Sequence, residues 1–196
     1  LLNKEFGTRL TNQDVHITDP FTGTGTFITR LLQSGLIKKD DLKRKYQKEI
    51  HCNEIVLLAY YIADVNIESV YHELNDSNEY LPYNGICLTD TFQSAEFKDG
   101  TQGEAMLDDY FADNYKELQK QRKIPVRVVI GNPPYSVGQK KANDNAQNLK
   151  YPVLDARIED TYAKHSAAGL KKSYYNSYVK AFRWASDKIA KNKEGG

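Results

Sequence analysis

The sequence is poor in the residues that would build a metal site or a disulfide framework. Its 196 residues include two cysteines and four histidines, and the histidines lack the spacing of metal ligands. Cys52 and Cys87 each lie within an apolar run. This setting predicts buried thiols in a reducing compartment rather than a disulfide. We therefore expect no metal site and a cytoplasmic location.

Long apolar runs and a strong net charge are also absent. No segment is apolar enough to span a membrane, and Leu1-Leu2-Asn3-Lys4 does not resemble a signal peptide. The net charge is +1, so any binding to nucleic acid would depend on local patches. Basic residues cluster at Lys38-Lys39, Lys43-Arg44-Lys45, Lys140-Lys141 and Lys171-Lys172. We expect the first two clusters to be solvated surface, whereas the last two flank a polar segment near the site predicted below.

The length of the chain suits one domain with a core. Along it, strand patterns alternate with helix patterns. Short apolar runs predict strands over residues 15–17, 49–54, 86–88 and 126–130. Helical spacing predicts helices over residues 27–32, 55–66, 106–121 and 174–190. The charged residues 38–48 are expected to form a surface helix or loop. This alternation indicates an α/β domain with a mostly parallel sheet.

Two of the predicted helices have a specific apolar face. In the second helix, the apolar face carries Val56, Leu57, Tyr60 and Ala63. In the last helix, the predicted face carries Tyr178, Ala181, Phe182, Ala185 and Ile189. The polar stretch over residues 136–172 has no regular period, which predicts a long functional loop or insertion, with partial disorder as the alternative.

A polar side chain closes each of the four predicted strands. These residues are Asp19, Glu54, Asp90 and Asn132. Ligands of parallel α/β sheets bind outside the carboxyl ends of the strands. We therefore expect the four side chains to share a single site.

The last predicted strand ends in an unusual way. Its β-branched run, residues 128–130, stops at Gly131 and is followed by Asn132, Pro133, Pro134 and Tyr135. Proline fixes its own φ and favours extended geometry in the residue before it. Neither proline has an N–H, so the segment offers carbonyl acceptors, an amide and an aromatic ring. Such a segment suits a flat group that bears an –NH2, although an ordinary loop is the alternative.

The turn after the first strand is rich in glycine. Gly23 and Gly25 allow a tight turn that comes close to a ligand, but Ile28 stands where a dinucleotide-binding fingerprint has its third glycine. A simple strand-to-helix turn is the alternative interpretation. Because the carboxylate of Asp19 would repel a pyrophosphate, the turn suits an amino-bearing ligand better.

Residues 132–135 resemble the catalytic motif of amino-group methyltransferases, most familiar in the adenine-specific DNA enzymes. Residues 19–27 resemble the S-adenosylmethionine motif of the same enzymes, and the order of the two motifs is that of the gamma type. The resemblance implies a Rossmann-like, S-adenosylmethionine-dependent methyltransferase fold with strand order 3-2-1-4. Residues 148–152 and 181–186 look like the methylase part of large single-polypeptide restriction–modification proteins that also carry helicase and nuclease modules.

The resemblance also implies a role for each site residue. The implied catalytic residues are Asn132, Pro133, Pro134 and Tyr135. The implied cofactor-binding residues are Asp19, Phe21, Thr22, Gly23 and Gly25 for the methionine moiety, Glu54 and Ile55 for the ribose, and Asp90, Thr91 and Phe92 for the adenine. Alternatives from the residues alone remain for three of them. Glu54 could simply lie near a helix N-terminus, Asp90 could be a turn residue, and Tyr135 could be a core tyrosine.

The expected function is methyl transfer to the exocyclic amine of an adenine that is flipped out of double-stranded DNA. The expected domain is one partial methyltransferase domain over residues 1–196, truncated after its fourth strand and the following helix. The target-recognition region and the helicase and nuclease modules would then belong to a longer parent chain. Two alternatives remain: methylation of a protein glutamine or an RNA base, and a fragment that binds cofactor or DNA without turnover.

Overall fold

The chain forms a Rossmann-like α/β fold around a four-stranded sheet. The structure is a computed structural model that describes residues 7, 9–76, 79–96, 112–134, 151–165 and 176–190. The strands are β1 (His16–Asp19), β2 (Ile50–Glu54), β3 (Ile86–Leu88) and β4 (Val126–Val129). All pair in parallel, in the order β3-β2-β1-β4. This order and the positions of all four strands confirm the sequence prediction.

Helices connect and flank the strands. They are α1 (Thr26–Gln33), α2 (Lys39–Arg44) with a π-helical turn (Lys45–Glu49), α3 (Leu57–Leu74), a 3₁₀ turn (Gln93–Ala95), α4 (Ala112–Lys123), α5 (Pro152–Ile158) with a second π-helical turn (Glu159–Ala163), and α6 (Ser177–Ala190). The predicted helix start at residues 106–111 lies outside the described residues. Among the helices that the structure describes, none combines the length and apolar character that crossing a bilayer requires.

Apolar side chains bury both faces of the sheet. On one face, α1 and α3 pack on Ile17 and Cys52, and Tyr46 stacks on Tyr71 with ring centroids 3.7 Å apart. On the other face, α5 and α6 join in a second cluster that includes Phe92, Tyr151, Leu154, Ile158, Ala181 and Trp184. Adjacent side chains of β4 point to opposite faces of the sheet: Val128 packs on the first cluster, with α1 and α3, and Val129 on the second, with α5 and α6. Both cysteines are buried and free, as predicted.

The prediction of a solvated basic cluster is wrong at Lys45, whose side chain is completely buried. Its Nζ donates to the carbonyl oxygens of Asn12 and Val15, at 2.7 and 2.8 Å, and forms an ion pair with Glu49 at 2.8 Å. The neighbouring Lys43 remains exposed. A π-helical turn places Lys45 under the start of β1, a displacement that charge patterns in the sequence do not reveal.

The predicted face of α3 is confirmed at Ala63, which is buried, and at Tyr60, which packs on the first cluster, but it is wrong at the start of the helix, and the predicted length is too short. Val56 and Leu57 are exposed, whereas Ala63, Ile67 and Tyr71 form the buried stripe. The helix extends to Leu74, beyond the predicted end near residue 66. Because the first turns of α3 are apolar on every side, periodicity could not identify the face that meets the sheet.

Two further predictions on the C-terminal part need correction. The stretch predicted as an irregular loop, residues 136–172, contains α5, which buries Leu154 and Ile158; residues 135–150 and 166–172 lie outside the described residues. In α6, the predicted face is confirmed at Ala181 and Ala185, which join the second cluster, and is wrong at Phe182, which is 69% exposed while Trp184 is buried. Both errors concern short amphipathic helices, whose partner is chosen by tertiary packing.

Candidate active site

The glycine turn between β1 and α1 is attached to the end of β2. Gly23 and Gly25 have φ angles of 56° and 84°, in the left-handed region that glycine adopts without strain. The Thr22 N–H donates to the Asn53 carbonyl at 3.0 Å, and the Gly23 N–H donates to Glu54 Oε2 at 2.7 Å. The turn predicted to hold the cofactor and the acidic end of β2 therefore form one unit.

Asp19 lies at the end of β1 with a buried carboxylate. Its Oδ1 accepts the Phe21 N–H at 3.1 Å, whereas Oδ2 has no hydrogen-bond partner within the part of the chain that the structure describes. The pKa of the Asp19 carboxyl is raised to about 7, mainly by burial; the Phe21 hydrogen bond lowers the pKa, and the charge of Glu54 raises it. Such an acceptor suits a cationic donor, because only a charged or donating ligand compensates for its burial.

Both carboxylate oxygens of Glu54 accept hydrogen bonds from backbone N–H groups. Oε2 accepts from Gly23, and Oε1 accepts from the Val56 N–H at 2.7 Å. Each carboxylate oxygen has two lone-pair positions, so each keeps one for a further donor. Ile55, the apolar residue predicted beside Glu54, is 52% exposed. Glu54 is thus oriented by two N–H groups and can still accept a pair of hydroxyl groups.

The loop after β3 brings Asp90, Thr91 and Phe92 to the same edge. Asp90 Oδ1 accepts the N–H groups of Phe92 and Gln93, at 2.9 and 3.3 Å. Thr91 Oγ1 donates to the Pro20 carbonyl at 2.5 Å, and the ring centroids of Phe92 and Phe21 lie 5.3 Å apart. These contacts join the loop after β3 to the turn after β1, which brings two of the predicted strand ends together.

The segment that follows β4 lies beside Asp19. The Ile130 N–H donates to the Thr18 carbonyl at 2.9 Å, which extends the pairing of β4 with β1. Gly131 then packs so closely that a Cβ on it would meet Asp19 Oδ1 at 2.9 Å. Asn132 and Pro134 are exposed and Pro133 is half-buried. Tyr135, the last predicted catalytic residue, lies outside the described residues.

One residue near the site carried no role in the sequence-based prediction. Tyr151 donates its hydroxyl to Asp90 Oδ2 at 2.7 Å, and its ring meets Phe92 edge-on with centroids 5.4 Å apart. The sequence placed it within residues 148–152, a segment noted only for its family resemblance, and directly before Pro152, which starts α5. A tyrosine that precedes the first proline of a helix does not by itself indicate a hydrogen-bond partner more than fifty residues away in sequence.

The site is rich in acceptors and shows no metal-binding cluster in the described ranges. Within them, no group of three or more His, Cys, Asp and Glu side chains could hold a metal ion. The acceptors are the free oxygen of Asp19, the two oxygens of Glu54 and Asp90 Oδ2, with the Phe21 and Phe92 rings close by. This set fits a ligand with an ammonium group, a vicinal diol and an aromatic amine.

Comparison with solved structures finds the same fold in much larger proteins. A nuclease-deletion mutant of the Type ISP restriction–modification enzyme LlaGI, in complex with a DNA substrate mimic, shares 47% identity over 99% of this chain, with a TM-score of 0.86. The ATP-dependent Type ISP restriction–modification enzyme LlaBIII, bound to DNA, shares 47% identity over 96%, with a TM-score of 0.84. The chain is similar to one segment of Type ISP restriction–modification enzymes.

The third comparison is with the DrdV–DNA complex, which shares 41% identity over 96% of this chain, with a TM-score of 0.82. The chain spans only 16%, 13% and 17% of the LlaGI, LlaBIII and DrdV chains, respectively. No protein-family model and no curated protein matches the chain. The solved structures therefore support a restriction–modification origin for this segment.

Proposed function

We propose that the chain binds S-adenosylmethionine and methylates the exocyclic amine of an adenine flipped out of DNA, within a restriction–modification protein. The observation that carries the proposal is the contact of Gly131 with Asp19 Oδ1. The Asn132-Pro133-Pro134 segment therefore follows directly on a contact with a buried carboxylate, one oxygen of which has no partner among the described residues. The similarity to enzymes that were solved with DNA supports DNA as the substrate.

The cofactor would lie across the three acidic strand ends. Asp19 would accept from the ammonium group of the methionine moiety, Glu54 from both ribose hydroxyls, and Asp90 from the adenine amine. Thr22, Gly23 and Gly25 would line the methionine moiety through the turn, with Phe21, Phe92 and Ile55 against its apolar parts. When bound, S-adenosylmethionine would supply an electrophilic sulfonium methyl group, with S-adenosylhomocysteine as the leaving thioether once the S–CH3 bond breaks.

The segment after β4 would prepare the target amine. The lone pair of an exocyclic adenine amine is delocalised into the ring, which makes the amine a poor nucleophile. The Asn132 side-chain oxygen and the Pro133 carbonyl would accept its two hydrogens and raise the electron density on nitrogen. After transfer, the extra proton of the amine leaves to solvent. Catalysis then depends on orientation and electrostatics, with Tyr135 as the predicted stacking partner of the base.

The test combines cofactor binding with methyl transfer. The wild-type chain and Asn132→Ala are titrated with S-adenosylmethionine, then given DNA, RNA and protein with a labelled methyl donor. We expect Asn132→Ala to abolish transfer to DNA and to leave cofactor affinity nearly unchanged. Asn84→Ala, which removes an exposed asparagine before β3, is the control and should change neither quantity.

Each alternative function has its own outcome in this experiment. Transfer that survives in Asn132→Ala would contradict the catalytic assignment. Transfer to RNA or protein in place of DNA would favour the corresponding substrate, and cofactor binding without any transfer would favour a binding-only segment. Failure of the wild-type chain to bind S-adenosylmethionine would contradict the proposed function as a whole.

A further inference from the structure

Tyr151 is held against the loop that carries Asp90 by contacts that do not need its hydroxyl. The residue is buried, and its ring meets Phe92 edge-on. Lys180 Nζ lies 4.7 Å from the centroid of the same ring. The next two peptide groups are also fixed, because the Glu96 carboxylate accepts the N–H groups of Val153 and Leu154 at 2.8 and 2.9 Å. The Tyr151 ring therefore has a defined place beside Asp90.

The hydroxyl of Tyr151 takes up one acceptor position of Asp90. A carboxylate offers about four lone-pair positions. Two of them, on Oδ1, accept the Phe92 and Gln93 N–H groups, and a third, on Oδ2, accepts the Tyr151 hydroxyl at 2.7 Å. Burial and the Asp90 charge raise the pKa of Tyr151, so the hydroxyl stays a donor throughout the physiological range. Asp90 keeps one acceptor position, on Oδ2.

We propose that Tyr151 is a positioning residue that fixes Asp90 to accept the exocyclic amine of the cofactor's adenine. The proposal rests on the proposed function and deepens it, because it explains how this site selects a 6-amino purine. With Oδ1 engaged by the backbone and Oδ2 by Tyr151, the carboxylate cannot turn to meet another group. A 6-oxo purine presents an acceptor to this oxygen and is repelled, whereas a 6-amino purine presents a donor.

The test compares two ligands that differ only at purine position 6. Binding of S-adenosylhomocysteine and S-inosylhomocysteine to the wild-type chain and to Tyr151→Phe is measured by calorimetry. The phenylalanine keeps the ring packing and removes the hydroxyl. We expect affinity for the adenosyl ligand to fall roughly 10-fold, as for loss of a hydrogen bond to a charged group. The preference for adenosyl over inosyl should shrink as well.

A matched control removes the same kind of hydrogen bond elsewhere. Tyr80 donates its hydroxyl to Glu68 Oε2 at 2.9 Å on the exposed surface of α3. Tyr80→Phe should leave both affinities and their ratio unchanged. On an Asp90→Asn background, Tyr151→Phe should cause no further loss, because the hydroxyl acts through the carboxylate. A full additional loss on that background would overturn the proposal.

The remaining outcomes separate this proposal from the proposed function. If the wild-type chain binds neither ligand, the cofactor site itself is wrong and the role of Tyr151 falls with it. If the wild-type chain binds S-adenosylhomocysteine in preference to S-inosylhomocysteine, and Tyr151→Phe shows the same affinity and preference, only the role of Tyr151 is overturned. Melting curves are recorded for each variant. If Tyr151→Phe does not fold, the hydroxyl is required for the fold itself, and this result would also overturn the proposal.

Discussion

Gly131 lies against the carboxylate of Asp19, so closely that a Cβ at residue 131 would stand 2.9 Å from Asp19 Oδ1. Asp19 ends β1, and Gly131 follows the end of β4; the two residues are far apart in sequence and meet because β4 pairs directly with β1. Because the Phe21 N–H holds Oδ1, the carboxylate has little freedom to move away. The contact joins the proposed cofactor half of the site to the proposed catalytic half.

A methyl group at residue 131 should disturb both halves. In Gly131→Ala, the Cβ would meet Oδ1 and also Pro20 Cδ at 3.3 Å. We expect a loss of roughly 1–3 kcal/mol in the free energy of unfolding, as for other overpacked sites. Methyl transfer should fall by up to about 100-fold, because a small displacement of reacting groups is costly. Chemical denaturation and labelled-methyl transfer check the two effects, and wild-type behaviour in both would show that the contact is not tight.

Cofactor affinity should depend on pH through Asp19. The pKa of this carboxyl is about 7 in the folded chain, so the group is largely protonated below that value. An ammonium group binds the ionised form, and binding therefore releases a proton. We expect affinity for S-adenosylmethionine to rise by roughly 25-fold between about pH 5.5 and about pH 7.5, in proportion to the ionised fraction of Asp19. Calorimetry in buffers of different ionisation enthalpy measures both the affinity and the released proton.

A ligand without the ammonium group is the control for this pH dependence. 5′-Methylthioadenosine keeps the adenosyl part and lacks the methionine amine, so its affinity should stay nearly constant over the same range. In Asp19→Asn, the dependence for S-adenosylmethionine should disappear along with most of the affinity. Equal pH profiles for the two ligands in the wild-type chain would argue against contact between Asp19 and the ammonium group.

The same carboxyl should reduce stability at neutral pH. Its folded-state pKa is raised from 3.8 to about 7, so the folded chain binds a proton more tightly than the unfolded chain. The stability that this group contributes is full below about pH 4 and is lost as pH rises toward 7. Asp19→Asn should therefore be more stable than the wild type at about pH 8, by a few kcal/mol at most. The difference between their unfolding free energies should shrink toward about pH 4, and a constant difference would contradict the shift.

The buried Lys45 should be essential for stability. Its Nζ satisfies two carbonyl oxygens and neutralises Glu49, which is also buried and accepts the Asp14 N–H at 2.9 Å. Lys45→Ala would remove the side-chain donor of both carbonyl oxygens and leave Glu49 paired with Arg44 alone, and we expect a loss of roughly 2–5 kcal/mol.

Lys43→Ala is the matched control for Lys45→Ala. Lys43 pairs with Glu79 at 3.4 Å, and both side chains are more than half exposed. Such surface pairs contribute about 1 kcal/mol or less. Urea unfolding of both variants gives the comparison, and similar losses in the two would show that burial does not set the contribution of Lys45.

The sequence indicated most of the elements that frame the site. Apolar runs located all four strands, and polar residues at their ends pointed to Asp19, Glu54 and Asp90, whose loops the structure joins through hydrogen bonds. Sequence could not indicate the place of Tyr151. Its contact with Asp90 depends on how α5 packs on α6 and how Glu96 holds the start of α5, which are long-range interactions.

The sequence by itself determined the alternation of strands and helices and the mostly parallel sheet, because strand periodicity, glycine turns and crossover rules act locally. The strand order was implied by the resemblance of two motifs to a known family. Tertiary structure alone decided which side of α3 is buried, why Lys45 is inside and which hydroxyl orients Asp90. Those outcomes depend on volumes and hydrogen-bond partners brought together from distant segments. A pattern of residue types along one segment carries no information about such partners.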